Sequence, residues 1–159
     1  MTEKIDLYTL IVSLFDAPIT EKFLEKNPVV ARTIVIRGDQ TLEDLHEVIF
    51  KAFNREEEHL YEFQLGGEGP DDPAATCYGV YVDGKPSGSK RKKMKDASKA
   101  KMSDLQLAPE EAFGYCFDFG DCWWHQINVV SIEKATPRGE YPRVTKRIGK
   151  SPPQYPNFE

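Results

Sequence analysis

Residues 113–132 read FGYCFDFGDCWWHQINVVSI, a stretch that holds both tryptophans and two of the three cysteines. Phe113, Tyr115, Phe117 and Phe119 alternate with Gly114, Cys116 and Asp118; beyond Gly120 and Asp121, the residues Trp123, His125, Ile127 and Val129 alternate again. Side chains of a strand change face at every residue, so this is the pattern of a β-hairpin with one aromatic face. Loop length then sets the register. A two-residue turn at Gly120-Asp121 puts Phe117 opposite Trp124 and divides the large side chains between two faces. A three-residue loop, Gly120 to Cys122, pairs Phe119 with Trp123, Phe117 with His125, Tyr115 with Ile127 and Phe113 with Val129, and keeps one apolar face whole. The second register is expected, with Trp123 inward, Trp124 outward and Cys116 on the face opposite His125.

The clearest helix precedes the hairpin, over Thr41 to Phe53. Thr41 and Asp44 have the spacing of a capping pair, and Leu42, Leu45, Ile49 and Phe53 recur at intervals of three and four to form a stripe for packing on a sheet. Ile5–Phe15 reads as a strand buried on both faces, Ala31–Arg37 as a second strand and His59–Leu65 as a third. Cys77–Asp83 offers a short strand, and Pro109-Glu110-Glu111 looks like the first turn of a short helix. Beyond Ile132 the chain is rich in proline and basic residues, as in an extended tail, with a strand at Arg143–Ile148.

With 159 residues, 40% of them hydrophobic and 30% charged, the chain has the make-up of one soluble globular domain. No apolar run reaches the roughly 20 residues that span a bilayer, and MTEKIDLYTL lacks a signal-peptide pattern, so the expected address is the cytoplasm. Cys77, Cys116 and Cys122 lack zinc-type spacing, and free structural thiols are expected. Charge is uneven: residues 1–89 carry 8 basic and 17 acidic side chains, residues 90–159 carry 13 and 9. Much of the basic excess lies in Lys90, Arg91, Lys92, Lys93, Lys95, Lys99 and Lys101, within an insertion at about residues 84–101 expected to be flexible. Such a cluster can neutralise phosphates; the competing reading is a solvated loop, since no aromatic residue is interleaved to stack on a base.

Four segments, TLEDLHEVI from Thr41, HLYEFQL from His59, YCFDFGDCWWH from Tyr115 and YPRVTKRIGKSPP from Tyr141, occur in an order that resembles the Ri-plasmid open-reading-frame-three-like family. The family includes insertion-element passengers that carry a resolvase-like label. The resemblance implies a single α+β domain over residues 1–159: a mixed β-sheet, β-grasp-like, with one main helix packed on it, the aromatic hairpin completing it and a Pro-rich tail. It brings no recognisable recombinase serine or tyrosine site. Pro152-Pro153 is followed here by Gln154, Tyr155 and Pro156 where the family has acidic residues and glycines, so no role of those acids transfers.

All three histidines, His46, His59 and His125, fall inside these segments. With Asp118 and Asp121 they are the candidates for a divalent-metal or general acid-base site if helix, third strand and hairpin meet at one edge. Their alternative roles are structural: Asp118 and Asp121 bonding turn amides, the histidines joining helix to sheet. Trp124, facing outward, is a candidate for a peptide or partner groove, the alternative being that the tail covers it. No phosphate loop, dinucleotide fingerprint or nucleophile elbow is present. The expected function is therefore a non-catalytic binding or interaction module without a cofactor, accessory to a mobile element or a nucleic-acid complex. A metal-dependent hydrolase using the His/Asp set is the alternative, with a protein or nucleic acid, not a membrane, as the partner.

Overall fold

A computed structural model describes residues 4–87, 94–120 and 122–155. In chain order come β1 (Ile5–Asp16), the short helix α1 (Glu21–Lys26), β2 (Ala31–Arg37) and the main helix α2 (Leu42–Ala52). They are followed by β3 (Tyr61–Leu65), β4 (Thr76–Gly79), β5 (Tyr81–Val82), β6 (Lys85–Pro86) and β7 (Lys95–Asp96). The hairpin strands β8 (Ala112–Phe117) and β9 (Trp123–Ala135) and the tail strand β10 (Arg143–Ile148) complete the order. One sheet runs β10-β2-β1-β9-β8-β3-β4-β7, antiparallel except where β4 lies parallel to β7, while β5 and β6 form a separate ribbon. The fold is α+β, a mixed sheet carrying one main helix.

Helix α2 starts where the sequence places its signals. Thr41 Oγ1 accepts from the Asp44 amide, and the Asp44 carboxylate accepts from the Thr41 amide, so two otherwise orphaned donors are satisfied. Leu42, Leu45, Ile49 and Ala52 are buried against the sheet, in one core with Leu10 and Val12 of β1, Ile34 and Ile36 of β2, Phe63 of β3 and the hairpin rings Phe113, Tyr115, Phe117 and Trp123. Arg32 of β2 bonds the Ala52 carbonyl through Nε at 2.9 Å, answering one of the free acceptors at the helix C-terminus.

The hairpin departs from its expected register by two residues. Phe117 pairs with Trp123, Tyr115 with His125 and Phe113 with Ile127. Positive φ at Asp118 (65°) and at Cys122 (40°) bounds the turn and ends β8 two residues early, leaving a five-residue connection and placing Phe119 in the turn. An even shift preserves facing, so the aromatic side still meets the helix. Cys116 and Cys122 are joined in a disulfide rather than free: the longer loop brings their Cα atoms to 5.4 Å, within bridging range. Residues 109–111 form no helix. Glu110 has φ 73°, its amide donates to the Val129 carbonyl, and the Val129 amide donates to that of Glu111, prolonging the β8–β9 ladder. β1 buries only one face: Tyr8, Leu10 and Val12 are buried, whereas Thr9, Ile11 and Ser13 are half-buried on the side away from α2. The basic segment is partly packed, with Met94 and Ala97 buried, while Lys90, Arg91, Lys92 and Lys93 lie outside the described residues. No helix of the described residues is long and apolar enough to cross a membrane.

Candidate functional site

His46 lies on the sheet-facing side of α2 and is almost wholly buried. Its ring stacks on Tyr61 of β3, centroids 3.7 Å apart and planes 8° from parallel. Nε2 lies 2.6 Å from Oε1 of Glu58 and Nδ1 2.6 Å from the Tyr115 hydroxyl. The carboxylate accepts, which puts the proton on Nε2 and leaves Nδ1 to accept from the phenol. Burial, with the Arg55 charge adding to it, pushes the imidazole down to about 3, so it is neutral. Burial likewise holds the Tyr61 and Tyr115 phenols above their usual range.

A second polar pair is sealed deeper. Arg55 follows the helix and turns inward, its guanidinium 4.9 Å from the Phe117 ring centroid, 5.0 Å from Phe53 and 5.2 Å from Trp123. Its Nη2 donates to His125 Nε2 at 2.7 Å, and His125 Nδ1 in turn donates to the Tyr115 carbonyl at 3.3 Å. An arginine only donates, so His125 is the neutral Nδ1–H tautomer; burial and the adjacent guanidinium hold it well below its usual range. Among the described residues no carboxylate pairs with Arg55. Three ring faces and a neutral imidazole carry that charge, and burial lowers its pKa only to about 10, leaving it ionised at neutral pH.

His59 sits at the rim above Phe117, with Nε2 2.8 Å from the Tyr155 hydroxyl and 3.7 Å from Oδ2 of Asp118. Asp118 accepts from the Gly120 amide at 3.2 Å. Thus His46 and His59 line one cleft of about 570 Å³ together with Glu43, Glu47, Glu58, Leu60, Tyr61 and Val80, while His125 is committed to Arg55 in the core. Asp121 lies outside the described residues. Among the described residues no three His, Cys, Asp or Glu side chains are grouped so as to hold a metal ion. The alternative reading, a metal held by the His/Asp set, thus has no such grouping among the described residues, which do not include Asp121. The tail frames the cleft: Gln154 accepts from the amides of Glu56 and Glu57 and donates to the Glu57 carbonyl, fixing the turn that presents Glu58.

On the opposite face of the sheet, Trp124 lies flat across Gly114, where a Cβ would fall within 3.0 Å of the indole. Trp124 lines a groove of about 360 Å³ with Phe15, Gln64, Gln126, Phe113 and the Gly67–Pro70 loop; no described residue of the tail lines it. Phe15 stands in a β-bulge, where the β1–β9 register shifts between Leu14 and Asp16, and is 68% exposed. A bulge re-aims a side chain, and here it turns a phenylalanine outward beside the tryptophan.

The plasmid pRiA4b ORF-3-like protein family matches residues 20–155. The chain belongs to that family. An uncharacterised protein of Sinorhizobium fredii, y4hQ, is 30% identical over 130 residues, covering 80% of this chain and 59% of the relative, so the chain spans less than two thirds of that protein's length. A protein of unknown function from Methanosarcina mazei Go1 has the same fold, with a TM-score of 0.70 and 25% identity over 94% of this chain and 72% of that one. The functions of both relatives are open, so the site has to be read from its own chemistry. Arg55, Glu58, Tyr61 and Tyr115 were not legible as polar partners. Arg55 stands beside the acidic run Glu56–Glu58, which reads as a surface ion pair, and nothing in the order of residues signals that it turns into a ring-lined core.

Proposed function

We propose that this member of the plasmid pRiA4b ORF-3-like family is a non-catalytic binding module that docks an extended segment of a protein partner in the groove between Trp124 and Phe15. The observation that carries this is the bulge that exposes Phe15 beside a tryptophan laid over Gly114. A large aromatic turned toward water at the mouth of a groove is the anchor such interfaces use, and Gln126, whose amide nitrogen donates to Asn128 Oδ1 at 2.9 Å, offers its carbonyl oxygen to a backbone N–H. Among the described residues the groove lining contains no basic residue and one acid, Glu68, so a phosphate backbone finds no counter-charge in it. Nucleic-acid contact would fall instead to Lys90, Arg91, Lys92 and Lys93. The plasmid origin in the family's description supports an accessory role in a mobile element or a nucleic-acid complex, met through its proteins. The reading needs no cofactor.

Panning a randomised peptide display library on the folded chain, with Phe15→Ser as the counter-selection, tests it. Enriched peptides carrying an apolar anchor should bind the variant at least about tenfold more weakly, about 1.4 kcal/mol. Enrichment of no sequence, or equal binding to both proteins, would overturn the reading.

A further inference from the structure

The cleft on the helix side of the sheet has a charge arrangement that the fold leaves uncompensated. Glu43 and Glu47 stand one turn apart on the exposed edge of α2 and face Glu58 across the opening. Like charges at that spacing destabilise a helix, and neither Glu43 nor Glu47 has a basic partner among the described residues. Asp44 and Asp96 add to the field felt by Glu43, and Glu58 meets the neutral His46 and, more weakly, His59. Burial first, and the neighbouring carboxylates second, hold the Glu43 and Glu58 carboxyls above their usual range. This is a cost the helix bears without any visible structural return.

Tyr61 supplies an independent observation. It lines the cleft, is 4% exposed, and its hydroxyl makes no hydrogen bond to any described residue. The hydroxyl is not one of the enclosed, orphaned atoms of the described residues, so it is open to the cleft and available to a ligand. Its ring, stacked on His46, gives the floor a neutral π face, and Leu60 and Val80 contribute aliphatic wall.

We propose that this cleft is a binding site for an alkylammonium group. The carboxylate rim supplies the counter-charge, the Tyr61 ring a cation–π contact and its hydroxyl an acceptor for one N–H, while Leu60 and Val80 cover the carbon stem. A hydrated divalent ion is the poorer fit: it wants six or more oxygen ligands, and only three residues of this lining, Glu43, Glu47 and Glu58, carry carboxylates. The same chemistry belongs to a free polyamine and to a lysine side chain of a protein, and the site is independent of the groove on the other face.

Calorimetric titration of the full chain with spermidine and, separately, with acetyl-Ala-Lys-Ala-amide distinguishes these sources: the tighter binder names the class. Glu43→Gln with Glu47→Gln, both at exposed helix positions, should weaken the better ligand about tenfold, and Tyr61→Phe, which keeps the ring, by about threefold. Magnesium chloride should compete no better than sodium chloride of equal ionic strength. Absence of saturable binding by either amine, binding indifferent to these variants, or displacement by magnesium beyond the ionic-strength effect would each overturn the proposal. Loss of peptide binding at the Phe15 groove would leave it standing.

Discussion

Replacing Gly114 by alanine tests how the groove is built. A methyl group at that position would fall within 3.0 Å of Trp124 Cζ2 and Cη2 and 3.2 Å from Cζ3, whereas ordinary contact begins at 3.4 Å. Gly114 is in the middle of β8, paired with Gln126 on one side and Gln64 on the other, so the backbone has little room to retreat. The indole must move instead, away from the sheet and toward water. Forcing an added methyl into a packed site costs about 1–3 kcal/mol, and a Trp124 that is 8% exposed in the native chain should become more exposed. Urea unfolding followed by tryptophan fluorescence reads both effects, as a lower midpoint and a red-shifted native emission. Gly120→Ala is the control, since the nearest heavy atom to its Cβ is 3.5 Å away, and it should change neither quantity. Wild-type stability and emission in Gly114→Ala would refute the argument that the missing side chain seats the tryptophan.

Other outcomes follow from the buried polar groups and the helix cap. In a double-mutant cycle, Arg55→Met and His125→Phe should couple by about 1–3 kcal/mol, because either change alone strands a buried donor or acceptor and the pair together does not; additive effects would contradict the hydrogen bond. His46 and His125 have folded pKa values below the unfolded value of about 6.5, so each contributes stability that is present above that pH and lost as pH falls through it. Between pH 7 and 5.5 the two together should cost about 2.5 kcal/mol in chemical denaturation, and a flat profile would mean that they are charged in the fold. Thr41→Ala removes one side of the capping box and should lower stability by about 1 kcal/mol, read as a shift in urea midpoint with unchanged slope.

Much of this architecture is written in periodicity. Alternation in 113–129 identifies the buried face of the hairpin, and the three-and-four spacing of Leu42, Leu45 and Ile49 identifies the matching face of α2. The register was misread because Phe119 continues the alternation, whereas the strand is ended by positive φ at Asp118, a conformation that alternation does not report. That error of two residues also concealed the approach of Cys116 to Cys122. The helical spacing puts His46 beside Leu42 and Ile49, but its partners come from positions 58 and 115, which only the packed sheet brings together. Arg55 shows the limit most clearly: beside three glutamates its charge looks solvated, and the ring faces that hold it come from the helix end and both strands of the hairpin.

The groove account stands or falls on where a bound peptide sits. The indole N–H signals of the two tryptophans report this directly by heteronuclear NMR, because Trp124 lines the groove and Trp123, 1% exposed, is enclosed on the helix side of the sheet. Titration with a display-selected peptide should move the Trp124 indole signal and the amides of Phe15 and Gln126 while leaving Trp123 in place. Saturable binding that perturbs only Glu47, His59 and Tyr61, or that leaves the Trp124 signal unmoved, would contradict it.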